Sequence, residues 1–280
     1  LMAKKPATAL RVVASPSKLK PGTGSRRVKT RFVVLYGPPK ARKTTSASTL
    51  NTARTKWIVS DSNTLPTLAY LNRVPPDENI YEVTSVPEAR AIVEEAIELA
   101  EKEGADALGV DSVVVDSATQ FADWHQEDIA KMTGQRFMGE NSKNNGWQQF
   151  NTEFGQFLDR LAMLARHVNV ILICHSKEKV DLSKGEWAGV NLSPQMALKT
   201  GRLANCVFYQ TCKDIVVDEK VKPDDFIQNI VENRDGSRSG KEVIINTQTT
   251  GLNIASSNIS GLAAEEPGDL QKIFEKGGLL

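Results

Sequence analysis

The sequence predicts an α/β protein: a mostly parallel sheet with helices on both faces and antiparallel strands at its C-terminal edge. Three observations predict it. Short runs such as FVVLY (32–36), the VVV (113–115) within VDSVVVD (110–116), and VNVILIC (168–174) are almost wholly apolar, the pattern of strands covered on both faces. Between them stand longer segments with apolar residues at helical spacing. Alternation of the two implies parallel strands joined by crossover helices, with the later strand pairs forming an added edge.

Taken in order, 31–36 reads as the first strand and 43–55 as a helix. Trp57–Ser60 and Ile80–Val83 read as strands. Ser85-Val86-Pro87-Glu88 is a helix start, with a Ser cap, Pro in the first turn and Glu three residues after Ser. That helix shows Ile92, Val93, Ala96, Ile97 and Ala100 on one face and stops at Gly104. Residues 110–116 form a strand ending in Asp116, and 119–132 a helix. Residues 133–146 are polar and rich in Gly and Asn, a loop signal. Phe150, Phe154, Phe157, Leu158, Leu161 and Leu164 then recur along a helix over 147–167, which marks a core stripe. Residues 168–174 read as a strand, 176–197 as a second polar loop and 207–211 as a strand. Residues 226–232 and 242–246 pair as a hairpin around NRDGSRSG.

This gives three regions: a basic, disordered arm over 1–30, an α/β domain over 31–250 and a flexible, small-residue tail over 251–280. No run is long enough to span a bilayer as a helix. The N-terminus lacks the apolar stretch of a secretory signal, and a cytoplasmic location is expected. The three cysteines (Cys174, Cys206 and Cys212) have no metal-ligand spacing and are expected to be buried, reduced thiols. The net charge of +1 hides an asymmetry. Residues 1–60 carry 14 Lys/Arg and no acid, whereas 61–280 carry 21 Lys/Arg against 34 Asp/Glu. A cationic region on an acidic body suggests a polyanionic partner.

The segment YGPPKARKTT (36–45) carries the chemistry. It nearly matches the phosphate-binding loop G-x-x-x-x-G-K-[ST], whose backbone N–H groups surround a phosphate at a helix N-terminus. Gly37 opens the loop; Pro38, Pro39, Lys40, Ala41 and Arg42 form its body; Lys43, Thr44 and Thr45 close it. Lys43 is the candidate for the outer phosphates, Thr44 for Mg²⁺, and Asp116 for the carboxylate of the metal shell. The expected ligands are therefore ATP and Mg²⁺. Arg42 stands where the pattern has glycine. Its side chain would force a backbone angle that glycine accepts more easily; it would also add a cation beside Lys43. Binding tolerates this better than turnover does, because most of the loop's donors are backbone groups.

With this loop, the strand VVVDS (113–117), the strand VILICH (170–175) and the hairpin IVENRDGSRSG (230–240) on the page, the chain resembles the RecA-like P-loop ATPases. More narrowly it is similar to small phage-encoded RecA-fold proteins with nucleotide-binding or single-strand annealing roles. The resemblance covers about residues 31–250 and rests on short motifs in a shared order. It implies a RecA-like core that hydrolyses ATP in a DNA-dependent way, slowly because of Arg42. It places a γ-phosphate sensor at His175, for which a structural histidine is the alternative. It makes 133–146 and 176–197 the two DNA loops, with a helix start near Ala197-Leu198-Lys199. It also makes Arg234 a cation that reaches a neighbouring subunit's phosphate, or else a solvated hairpin charge. Arg238 and Lys241 are weaker candidates, and Glu232 departs from the family pattern. The family places a glutamate after the second strand to position water; here Asp61 is the only carboxylate in reach, and an ordinary loop Asp is the alternative.

The implied partners are single-stranded DNA, further copies of the chain in a ring or filament, and a single-strand-binding protein, in a phage-infected bacterial host. Trp187, Phe137 and Trp147 could stack on bases, with Trp147 favoured as core. Lys177, Lys179, Lys184 and Arg202 could contact phosphates. The implied role is annealing or strand pairing in phage recombination. A helicase or helicase loader of the same fold, and a hydrolysis-deficient nucleotide-sensing scaffold, are the alternatives.

Overall fold

The computed structural model describes residues 30–140, 146–181, 185–218, 220, 224–250 and 253–280, with side chains described for these except 178–181 and 185–187. The basic segment 1–29, Lys184, the side chains of Lys179 and Trp187, and residues 141–145 of the first polar loop lie outside that description.

Strand β1 (Phe32–Gly37) is followed by α1 (Lys43–Ala47), β2 (Thr55–Val59), α2 (Thr64–Tyr70) and β3 (Ile80–Glu82). Then come α3 (Val86–Glu103), β4 (Ser112–Asp116), α4 (Ala118–Met132) and α5 (Trp147–Leu164). The chain continues through β5 (Asn169–Asp181), β6 (Gly185–Val190), α6 (Pro194–Leu203) and β7 (Cys206–Val216). It ends with β8 (Ile227–Glu232), β9 (Arg238–Asn246), β10 (Ser256–Ser257), β11 (Glu265–Pro267) and α7 (Leu270–Gly277).

The main sheet runs β11-β9-β7-β1-β5-β4-β2-β3. Pairing is parallel from β7 through β1, β5, β4 and β2 to β3, and antiparallel among β7, β9, β8 and β11. The expected α/β architecture with an antiparallel edge is therefore what the chain adopts. Alternation along the strands explains both layers. Phe32, Val34 and Tyr36 of β1 face the cluster built by α3, α4 and α5, together with Val113, Val115, Val170 and Leu172. Val33 and Leu35 face the other cluster, with Trp57, Val114, Ile171, Phe208 and helix α7. Fully apolar strands are required because both faces are covered.

Local signals account for the helix ends. Ser85 accepts from the Glu88 N–H, the Glu88 carboxylate accepts in turn from the Thr84 N–H at 2.9 Å, and Pro87 occupies the first turn of α3. Ser117 caps α4 through the Gln120 N–H.

One side chain and four segments differ from the sequence expectation. Cys174 and Cys206 are buried as expected, but Cys212 is exposed on β7. Helix α1 spans only 43–47, because the chain turns at 48–50 and enters β2 at Thr55. Helix α2 was not anticipated. The segment 176–197 is not a loop throughout: β5 runs on to Asp181 and pairs antiparallel with β6, from Ser176 opposite Val190 to Asp181 opposite Gly185. Helix α6 then starts at Pro194, a little before the expected position. The region from 253 on is not a flexible tail. Its α7 buries Leu270, Ile273 and Phe274 in the second cluster, and Asp269 caps it through the Lys272 N–H. Small and acidic residues over 261–268 disguised a short helix whose apolar residues fall at i, i+3 and i+4.

Candidate functional site

The carboxyl ends of β1, β4 and β5 meet at one cleft. The register sets this: Gly37 stands opposite His175, and Asp116 opposite Ile173 and Val59. The cleft has a volume of about 640 Å³, and Lys43, Thr44, Asp61, Asp116, His175 and Gln228 line it.

Gly37 is held against β7. A Cβ there would lie 2.0 Å from the Gln210 carbonyl oxygen, so only glycine fits. The loop then turns, with the Ala41 N–H donating to the Pro38 carbonyl at 3.3 Å. Lys40 and Arg42 both adopt positive φ, 65° in each case. Arg42, at φ 65° and ψ 28°, precedes α1 directly. That left-handed conformation is the physical reason for a glycine in the motif at this place. The Arg42 guanidinium turns away along the cleft wall and donates to Oε1 of Gln228 on β8. Gln210, fully buried on β7, donates its Nε2 to the Ala41 carbonyl at 2.5 Å.

Lys43 is buried, and its Nζ donates to the carbonyls of Gly37 (2.9 Å) and Pro38 (2.8 Å). Burial lowers its pKa to about 8, against the opposing pull of Asp116, then Cys174 and Asp61. Thr44 Oγ1 donates to Asp116 Oδ2 at 2.8 Å, and Thr64 Oγ1 donates to the same oxygen at 2.8 Å. Asp116 is itself buried. Burial raises its pKa, while the two threonine hydroxyls and Lys43 pull it down. Its carbonyl receives the N–H groups of Ser60 and Asp61. The Asp116–Ser117 peptide is cis, and Ser60 Oγ receives the Ser117 N–H at 3.0 Å.

Asp61 lies on the cleft wall, where Oδ1 accepts from the Asn63 N–H (2.8 Å) and Nδ2 (3.0 Å). His175 is half-buried at the end of the β5 segment that pairs with β1. Its N–H donates to Thr119 Oγ1 at 3.0 Å. Its Nδ1 is buried and has no hydrogen-bond partner among the described residues. Burial, then the nearby Lys43 charge, pushes its pKa down, so the neutral imidazole is favoured. Arg234 is not in this cleft. It sits exposed in the turn between β8 and β9. In the same lobe Arg238 donates to the Asp218 carbonyl, and Lys241 lies 3.7 Å from Asp214.

These residues fit ATP and Mg²⁺ chemically. A hydroxyl and a carboxylate stand in direct contact beside a desolvated ammonium. Mg²⁺ is commonly held by one or two carboxylates plus substrate phosphates rather than by an all-protein cage. Among the described residues no group of three or more His, Cys, Asp or Glu forms a metal cluster.

A family model described as AAA domain matches residues 29–250. The chain belongs to this AAA-domain family of P-loop ATPases. Membership carries an ATPase-type nucleotide-binding function. No curated protein matches the chain. Among the described residues no helix is long and apolar enough to cross a membrane.

Gln210, Gln228 and Thr64 escaped the sequence reading. None belongs to a motif, and the two glutamines contact the loop across 169 and 186 residues of chain. The one available signal for Thr64 was its place just after the second strand.

Proposed function

We propose that this chain is a Mg²⁺-dependent ATPase of RecA-like type that binds single-stranded DNA and promotes annealing or strand pairing in phage DNA recombination. The observation that carries the ATPase part is the contact of Thr44 with Asp116 beside buried Lys43. In this reading Lys43 exchanges its loop carbonyls for the outer phosphates, and Thr44 and Asp116 hold the metal. Bound Mg²⁺ would supply charge neutralisation for the phosphoryl group in flight. Lys43 stays cationic at neutral pH, because its pKa of about 8 still lies above 7. Asp61 orients water from the cleft wall. His175, neutral and with a free buried nitrogen, senses the terminal phosphate and passes its state to the β5–β6 hairpin. Arg234, too far out to serve its own cleft, acts on the neighbouring copy in a ring or filament.

The DNA part rests on charge and resemblance. Nine Lys/Arg fall within residues 1–31 with no acid among them, the footprint of sequence-independent phosphate contact. Phe137 is 61% exposed within the first polar loop and is available for stacking on a base. Trp147 is less available, since it packs edge-on against Phe150 with ring centroids 6.0 Å apart.

A second reading, a nucleotide-sensing scaffold with little turnover, draws on Asp61, whose Oδ1 both Asn63 nitrogens engage. ATP hydrolysis with and without a single-stranded oligonucleotide separates the two. DNA-stimulated hydrolysis supports the recombination reading. ATP binding without turnover, DNA present, supports the scaffold.

A further inference from the structure

Arg42 holds a left-handed backbone conformation directly before Lys43, at φ 65°. For a non-glycine residue this conformation is unfavourable and persists only when the surroundings hold it. Two glutamines from the antiparallel edge do so. Gln228 Oε1 accepts from the Arg42 guanidinium, and Gln228 Nε2 donates to the Asp225 carbonyl at 3.2 Å, which fixes the amide. Gln210 Nε2 donates to the Ala41 carbonyl at 2.5 Å, one residue before the strained position. Gln228 reaches the loop because β8 is irregular there. Its pairing with β9 shifts between Gln228 and Val231, and Asn229 takes φ 52° inside the bulge. Both Gln228 and Asn229 line the nucleotide cleft.

We propose that Gln228 is a positioning residue for the phosphate loop. It acts through Arg42 and, with Gln210 beneath, replaces the conformational freedom that glycine would give. The tie spans 186 residues and joins the loop to the β8–β9 hairpin. The hairpin thereby becomes part of what sets the loop for nucleotide. This rests on the ATPase reading of the same cleft.

The prediction is a suppression. Gln228→Ala leaves Arg42 to hold its conformation with less support, so the loop departs from its cradle and ATP–Mg²⁺ binds about tenfold more weakly. In an Arg42→Gly background, glycine adopts the angle unaided, and the same Gln228→Ala change leaves affinity nearly unaltered. Isothermal titration calorimetry with ATPγS–Mg²⁺ on the four proteins reads the cycle. Chemical denaturation of the same four without nucleotide reads the tie itself and is expected to show coupling between the two sites. A role confined to folding would not be rescued by glycine at position 42. An equal loss of affinity in both backgrounds, or tighter binding by Gln228→Ala, overturns the proposal and leaves the ATPase reading standing. Failure of the wild type to bind ATPγS or ADP overturns both, and is distinguished by the wild-type titration alone.

Discussion

Lys43 is a desolvated ammonium held against two carbonyls of its own loop. Its pKa falls from 10.5 to about 8 on folding. Between these values the unfolded chain binds the proton and the folded chain does not, so unfolding free energy rises with pH from this group. Below about pH 8 both states are charged, and the buried charge opposes folding. Lys43→Met therefore gains stability relative to wild type near pH 7, and that gain shrinks by roughly 1–3 kcal/mol as pH rises to about 10. Urea denaturation of both proteins across this range tests it; a gap that widens with pH refutes the assignment. Gly37 makes a second test. A Cβ 2.0 Å from the Gln210 carbonyl cannot be accommodated without backbone movement. Gly37→Ala is expected to destabilise by about 1–3 kcal/mol and to lose nucleotide affinity together with stability. Unchanged unfolding would mean that β7 does not press on the loop. At this scale the candidate residues could be picked out in advance: Gly37, Lys43 and Thr44 by the spacing of the loop motif, and Asp116 by its place at the end of an apolar strand; the structure brings Lys43, Thr44 and Asp116 to one cleft. Gln210 and Gln228 were not, because distant chain contacts leave no local pattern.

Among the elements, strands with unbroken apolar runs and the Ser-capped helix α3 were readable in advance. Strand β4, helix α3 and the Phe-lined α5 fell close to their expected bounds. What failed was where tertiary pairing overrides composition. The second half of β5 is polar, and it is a strand because β6 supplies its ladder. Helix α7 follows a small-residue stretch and is short, so its periodicity is faint. Yet Phe274 is fully buried against the second core cluster. Phe274→Ala is expected to cost about 3–5 kcal/mol of unfolding free energy, and removal of residues after 268 to abolish cooperative unfolding. A truncated chain that melts like the full one would restore the flexible-tail expectation. The His125–Glu153 contact between α4 and α5, 3.1 Å long, belongs to packing rather than to the cleft.

For the whole molecule, alternation of strands and helices was enough to predict a parallel sheet, and strand order was not. The order places β5 between β1 and β4. As a result His175 stands beside the phosphate loop on one side and one strand from Asp116 on the other. Local propensity does not encode that order; it emerges when crossover helices cover both faces. Residues 1–29 carry eight Lys/Arg and no acid, so the proposed DNA binding is predicted to weaken steeply with salt. Fluorescence anisotropy of a labelled oligonucleotide with the full chain and with a chain lacking residues 1–29 checks this, and equal affinity for both would remove the arm from the account. The central claim is that a phosphate loop carrying Arg42 still works. The most direct measurement is Mg²⁺-dependent ATP hydrolysis by the wild type and by Lys43→Ala, with single-stranded DNA present. The account predicts turnover by the wild type and a fall of at least about 100-fold in the variant. Equal rates in the two proteins would contradict it, because the activity would then not come from this loop.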